Sequence, residues 1–370
     1  MTLLGFPAGL DGKLVTHCLF YRPCKGVYGM CEVQNEAQNA SENVNKDKVP
    51  ETLYHYCSLD TFYNIVKNKS IWLSDLSKTN DSQELIWLKN DICEKLLPMI
   101  KEEQKKSNQD DFLGWEFVKQ FLEERVKTLE ILCWGFCLSI KSDDLNQWRG
   151  YGDNGAGISI GFSYDKLMKM IPSKSSITIG KADLNLNQVK YGIDTKLYED
   201  IKKIAEEKHE EIEKIVNDSL GDNQIHLSRD VKEAIVKEMA AMTRFPFYKT
   251  EAFKEEAEWR IVFAASKDKE PKEVFSEACK KIREKGLKEI DRLKFKNYEY
   301  SLRNNMLVSH LEIEFENMED IIQSITIGPK AKVAETDIVE FLKLNYGSES
   351  NKSMERIQEI EVKKSAIPYR

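Results

Sequence analysis

The stretch LYHYCSLDTFYNIVKNKSIWLS, residues 53 to 74, changes its hydrophobic period twice. Leu53-Tyr54-His55-Tyr56 is a short aromatic run that reads as a strand. Ser58 is placed to cap a helix over Leu59 to Lys69, in which Leu59, Phe62, Tyr63, Ile65 and Val66 fall at helical spacing. Ile71-Trp72-Leu73-Ser74 then returns to strand. A strand, a helix and a second strand packed this closely predict a mixed α and β domain, and the rest of the chain can be read outward from them.

Downstream, Asp81-Ser-Gln-Glu84 has the form of a capping box opening a helix through Leu97, and Gly114 to Glu130 gives another helical pattern. Ile131 to Ile140, the most hydrophobic run, is expected to be a buried strand that anchors the core. A short helix over Asp143 to Trp148, a glycine-punctuated turn and a strand over Ile158 to Phe162 follow. Leu197 to Phe245 reads as helical and highly charged, so a long helical insertion is expected over about 165–249. Strand character returns at Glu258 to Ala264, a basic helical segment is expected from Lys280 to Lys296, and strands close the domain at Leu311 to Phe315 and Ile325 to Ile327. Residues 1–50 are expected to be a leader or linker, partly disordered, because Glu32 to Lys48 has almost nothing apolar to bury. The expected organisation is a single α+β domain over 51–345, built from two small packed sheets with surrounding helices, and a C-terminal tail over 346–370.

Composition narrows the function classes. Apolar residues make up 41% and charged residues 32% of the 370, which fits a globular protein with a full core. The net charge of −7 argues against generic attraction to phosphate backbone or anionic lipid. No apolar run is long enough to span a bilayer, and no signal-peptide pattern opens the chain, so a cytoplasmic protein without a membrane partner is expected. The eight cysteines are too dilute for a disulfide framework. His17, Cys18, Cys24 and Cys31 contain zinc-ligand types but lack the usual close cysteine pair, so no metal is expected.

Gly150-Tyr-Gly-Asp-Asn-Gly155 matches G-x-G-x-x-G, yet a helix-like segment precedes it and a strand follows, the reverse of a dinucleotide-binding turn. A turn with glycines at positive φ is the simpler reading. In Glu258-Trp-Arg-Ile-Val-Phe263, period two puts Glu258 and Arg260 on one face and Trp259, Ile261 and Phe263 on the other. Two readings stay open: an ion-pair ladder on a solvated sheet face, or a carboxylate on a rigid strand steered by Arg260 into a cleft. His55 points away from Tyr54 and Tyr56 and is either a satisfied structural group or a catalyst. Asn80-Asp81 reads as helix capping first and a ligand contact second.

Together, Tyr54-His55-Tyr56, Ile65, Ile71 to Ser74, Asn80-Asp81, Glu84, Phe136 to Ser139, Trp148, Tyr151, Gly157 to Phe162, Lys249, Glu256 to Arg260 and Ile327-Gly328 resemble, over about residues 51 to 345, the bacterial family called domain of unknown function 2971. The order of elements is also similar to the ADP-ribosyltransferase fold. That resemblance implies NAD as substrate, with Glu258 as the late-strand carboxylate and His55 as the first-strand residue on the nicotinamide ribose. Tyr151 or Trp148 would stack on nicotinamide, and Tyr54, Asn80 and Arg260 would complete the NAD site. Glu256 aligns as an alternative to Glu258. The implied activity is NAD-dependent ADP-ribosyl transfer or NAD hydrolysis, as in a toxin or phage-defence effector, with nucleic acid or protein as acceptor and a possible inhibitor protein as partner. Cleavage of the nicotinamide–ribose bond passes through an oxocarbenium-like state, and nicotinamide leaves neutral, so one carboxylate suffices. The rival reading is a catalytically silent module that binds nucleic acid or protein through Lys280, Lys281, Arg283, Lys285, Lys288, Arg292, Lys294 and Lys296. A nuclease or phosphotransferase would have to rely on Asp81 with Glu84.

Overall fold

The structure is a computed structural model and describes residues 49–78, 131–173, 182–192, 245–266, 270–303, 305–347 and 351–369. The chain divides into two units, residues 1–48 and Val49–Arg370, and the described residues belong to the second. The cysteine cluster at 17–31, the helices expected at 81–97 and 114–130, and Asn80 lie outside the described residues.

The opening motif forms strand β1 (Thr52–Cys57), helix α1 (Leu59–Asn68) and strand β2 (Ser70–Asp75). Ser58 accepts from the Thr61 amide at 3.1 Å, and Lys69 at φ +54° closes the helix in the left-handed conformation. Phe62, Ile65 and Val66 bury the inner face of α1. Strand β3 (Ile131–Ser139) takes the apolar run, helix α2 (Leu145–Gly150) is capped by Asp144, and strand β4 (Ile158–Ser163) follows the glycine turn.

Strands β5 (Asp183–Gln188), β8 (Glu258–Ser266), β9 (Leu293–Arg303), β10 (Met306–Phe315), β11 (Ile322–Ile327) and β12 (Glu361–Lys364) complete a ten-stranded sheet. Its main path runs β12-β11-β4-β1-β3-β2-β10-β9, while β8 lies on the other edge of β3 and β5 lies beyond β8. All of its pairs are antiparallel except β11 with β12. Strands β6 (Lys190–Tyr191) and β7 (Tyr248–Lys249) form a separate two-stranded parallel ribbon. The expectation of two small packed sheets is therefore corrected to one branched sheet, with β3 as the branch point. A strand as continuously apolar as β3 can be covered on both faces and paired on both edges, so it can serve both arms.

Three further expectations change. The span 165–249 is not helical throughout: after helix α3 (Tyr164–Met170) it contributes β5 to the main sheet, and residues 193–244 lie outside the described residues. The basic segment 280–296 is split among helix α4 (Pro271–Glu284), a 3-10 turn over Lys288–Arg292 and β9. Beyond helix α5 (Glu335–Tyr346), the residues expected as a tail form helix α6 (Asn351–Gln358) and β12, which adds a parallel edge to the sheet. One apolar cluster spans the unit from Leu53 and Phe136 through Phe162 and Ile261 to Ile325 and Leu342.

After β12 the chain crosses the loop between β3 and β4. Ser365 Oγ donates to Asp143, the Ala366 amide donates to the same carboxylate, and the Tyr369 ring lies between Arg149 and Lys330. The Tyr369 hydroxyl donates to Asn154 Oδ1 at 2.5 Å. This strap holds the outer side of the glycine turn.

Candidate active site in the fork of the sheet

Strand β3 is paired with β8 along its whole length, from Ile131↔Ser266 to Ser139↔Glu258. On its other edge β1 meets it at Tyr54↔Ser139, and β2 meets it at Ser74↔Gly135 and Asp75↔Trp134. The two strands therefore diverge across Phe136 to Leu138, and a cavity of about 590 Å³ opens at this fork. Tyr54, His55, Phe136, Cys137, Tyr151, Lys249, Glu256, Glu258 and Arg260 contribute to its lining. Four separate sequence segments thus converge on one cavity.

His55 occupies the crotch of the fork. Its Nδ1 lies 2.8 Å from the Cys137 carbonyl, and because a carbonyl only accepts, Nδ1 carries the proton. The ring stacks on Phe136 with centroids 4.0 Å apart. Burial lowers the imidazole pKa to about 4, against the upward pull of that hydrogen bond, so His55 is neutral at pH 7. Nε2 is left as an acceptor with no partner among the described residues.

Glu258 and Arg260 share a face, as the strand period requires, but that face is not solvated: Arg260 is 0% and Glu258 4% exposed. The solvated ladder is therefore corrected to a buried network. Arg260 donates from Nε to Glu258 Oε1 at 2.6 Å, from Nη2 to Oε2 at 3.0 Å, and from Nη1 to the Pro246 carbonyl at 2.9 Å. Lys249 Nζ sits 2.7 Å from Glu256 Oε2 and 2.9 Å from Glu258 Oε2. Two carboxylates and two cations leave the group neutral overall, which burial demands. Burial alone would raise the Glu258 pKa, but Arg260 and Lys249 beside it hold the carboxyl well below its ordinary range.

Glu256 is not one pleat earlier on the same strand, as simple alternation predicts. It ends a 3-10 turn over Glu251–Glu256, and Ala257 at φ +46° breaks the extended backbone before β8 begins. The turn nevertheless delivers Glu256 to the same cavity, where Tyr151 donates to its Oε1. Burial pushes the Tyr151 phenol far above its usual value, so it stays a donor. Ser139 Oγ and Gln147 Nε2 both donate to the Glu256 carbonyl, at 2.7 and 3.2 Å. The Tyr191 hydroxyl accepts from the Glu258 amide at 2.8 Å.

Trp148, expected as a stacking residue, is instead 0% exposed and does not line the cavity. Its indole donates to Asp143 at 2.6 Å and packs edge-on to Tyr56, whose hydroxyl donates to the Lys141 carbonyl. A Cβ on Gly152 would lie 2.5 Å from the Trp148 ring, so that glycine is there for close packing. In the same turn the positive φ values fall on Asp153, Asn154 and Gly155. Tyr54 and Tyr151 remain the tyrosines in position to meet a ligand. Lys249, Tyr191, Gln147 and Ser139 went unassigned as site residues by sequence reasoning. No local pattern marks them, although the acid-rich run Glu251 to Glu258 signals a need for nearby cations.

The basic residues proposed as a nucleic-acid face are largely matched by acids. Lys281 pairs with Glu277, Arg283 with Asp291, Arg292 with Asp320, Lys294 with Glu316 and Lys296 with Glu312. Cys57, Cys133 and Cys279 are buried free thiols, with burial raising Cys133 and Cys279 to about 12. Among the described residues no group of three or more metal-ligand types converges, and no helix is long and apolar enough to cross a membrane.

Fold and site together define a mixed α+β protein with a buried carboxylate–cation network at the fork of a mainly antiparallel sheet. A family model described as "Protein of unknown function (DUF2971)" matches residues 147–261, the span that carries Tyr151, Lys249, Glu256, Glu258 and Arg260, and supports the resemblance to that family. No curated protein and no solved structure matches the chain, and the ADP-ribosyltransferase resemblance finds no support in these comparisons.

Proposed function

We propose that the fork is the active site of an ADP-ribosyltransferase-like enzyme that cleaves the nicotinamide–ribose bond of NAD. The observation that carries this reading is the convergence of a first-strand histidine, a tyrosine and two late carboxylates on one cavity, with the histidine held neutral. Glu258, gripped by Arg260 and Lys249, fixes the local field. Glu256, with Tyr151 on one oxygen and Lys249 on the other, presents the freer carboxylate. As the C1′–N bond breaks, its electron pair leaves with neutral nicotinamide, and the carboxylates stabilise the positive charge left on the ribose. A water or acceptor hydroxyl then bonds to C1′ and passes its proton to the Glu256 carboxylate. The neutral Nε2 of His55 is suited to hold a ribose hydroxyl. The matching of the basic residues by acids weighs against the rival nucleic-acid module.

The test has two readouts. Saturating NAD is expected to raise the thermal unfolding temperature, since a ligand of the native state alone stabilises it. Nicotinamide release, measured with and without nucleic acid and protein acceptors, is expected to fall by orders of magnitude in Glu256→Gln while that variant stays folded. No release by the wild-type chain under any of these conditions, together with tight nucleic-acid binding, would replace the enzyme by the binding module.

A further inference from the structure

The cavity continues past the fork to a second lobe built by β2, β9 and β10, lined by Ser70, Trp72, Ser74, Ser301, Arg303 and His310. Nearly every polar group there is already engaged within the protein. His310 meets Ser74 Oγ through Nδ1 at 2.9 Å and Ser301 Oγ through Nε2 at 2.6 Å. A neutral imidazole donates from one nitrogen and accepts at the other, so both hydroxyls can be satisfied at once. Ser70 donates to Glu312 at 2.6 Å, and Lys296 lies 3.2 Å from that carboxylate. These bonds lock three adjacent strands together under the Trp72 ring, whose centroid is 4.8 Å from that of His310.

Trp72 itself is 39% exposed, although it stands on an interior strand of the sheet between Ser70 and Ser74. A large indole left uncovered inside a cavity, on a rigid support, is a surface for stacking a planar ring. Arg303, at the end of β9, is exposed on the rim of the same lobe and supplies a guanidinium for a phosphate. An aromatic platform with a cation at its edge matches a nucleoside monophosphate better than a peptide side chain.

We infer that this second lobe binds the purine nucleotide half of the substrate, with the base on Trp72 and the adjoining phosphate on Arg303. This assignment rests on the reading of NAD as substrate, and it places the nicotinamide half at Glu256 and Glu258 and the adenylate half beyond the fork.

The probe is AMP, titrated into the full chain and followed by calorimetry and by tryptophan fluorescence. Wild type is expected to bind AMP with quenching of the indole emission. Trp72→Ala is expected to weaken binding at least tenfold with little change in the thermal unfolding temperature, and Trp72→Phe is expected to restore most of it. Arg303→Ala is expected to weaken AMP tenfold while leaving adenosine unchanged. AMP that fails to bind at millimolar concentration, or that binds Trp72→Ala as well as wild type, overturns the assignment. Nicotinamide release without AMP binding removes the second lobe alone. AMP binding that depends on Trp72, with no release of nicotinamide, removes the NAD-cleaving activity alone and keeps the lobe as a nucleotide site.

Discussion

The two edges of β3 have opposite fates. Toward β8, nine consecutive residue pairs form an unbroken ladder, and the side chains on one face of that ladder include the buried Glu258–Arg260 pair. Toward β1 and β2, the ladder is replaced over Phe136 to Leu138 by a side chain, because His55 takes the Cys137 carbonyl. The difference shows how a sheet can be opened without leaving that carbonyl unsatisfied. A backbone carbonyl stranded away from water costs about 1–3 kcal/mol, and one correctly placed imidazole removes that cost. The sealed edge supplies rigidity for charged groups, and the open edge supplies room for a ligand.

The largest effect is expected on the sealed side. Glu258→Gln removes one of the two carboxylates and leaves Arg260 and Lys249 to share Glu256 alone, and breaking a buried pair from one side costs about 3–5 kcal/mol. Urea unfolding at pH 7 measures it, and removing the stranded cation in Glu258→Gln/Arg260→Met is expected to recover part of the loss. A single-variant loss below about 1 kcal/mol, the scale of an exposed pair, would show that the network is solvated after all.

The open side is probed by acid. The native pKa of His55 lies near 4, below its ordinary 6.5, so the unfolded chain takes up the proton first as pH falls. Its contribution is fully present above pH 6.5 and is lost between 6.5 and 4, at up to about 1.4 kcal/mol per pH unit. His55→Phe is expected to be less stable than wild type at pH 7, by about 1–3 kcal/mol for the lost hydrogen bond to the Cys137 carbonyl. That gap should narrow as pH falls toward 4. A gap that stays constant or widens would mean that the imidazole is charged in the native state.

The smallest effect is expected where the two edges meet. Ser139→Ala removes one donor to the Glu256 carbonyl, but Gln147 still donates to it. The expected cost is about 1 kcal/mol by thermal unfolding. A loss several times larger would mean that Ser139 closes the fork itself.

Much of this was legible in the sequence, and the failures share a cause. The strand–helix–strand opening, the Ser58 cap, β3, the short helix α2 and the common face of Glu258 and Arg260 are set by neighbours a few residues away, so period and capping chemistry find them. The branch at β3 is not local, because it depends on which strand reaches which edge. β5 was hidden because Asp183-Leu-Asn-Leu-Asn-Gln188 is short and carries only two apolar residues, and β12 because Glu361-Val-Lys-Lys364 is almost wholly polar. Trp148 was misread as a ligand contact because an aromatic beside glycines has the same sequence signature whether it faces a cavity or fills a core. Lys249 draws its meaning from Glu256 and Glu258: the acid-rich run after it calls for a cation, but no local period says which basic residue answers.

The strap after β12 bears on the order in which the molecule assembles. Its bond from Ser365 to Asp143 spans 222 residues and that from Tyr369 to Asn154 spans 215. Contacts so distant in sequence require closure of a long chain before they contribute anything. The loop that carries Gln147 and Tyr151 is thus fastened from outside by some of the most remote partners in the unit. Pairing of β2 with β10 inside the sheet closes an equally long stretch, Ser74 to His310 spanning 236 residues, so the strap meets the same entropic barrier as the sheet it fastens and is expected to form with it.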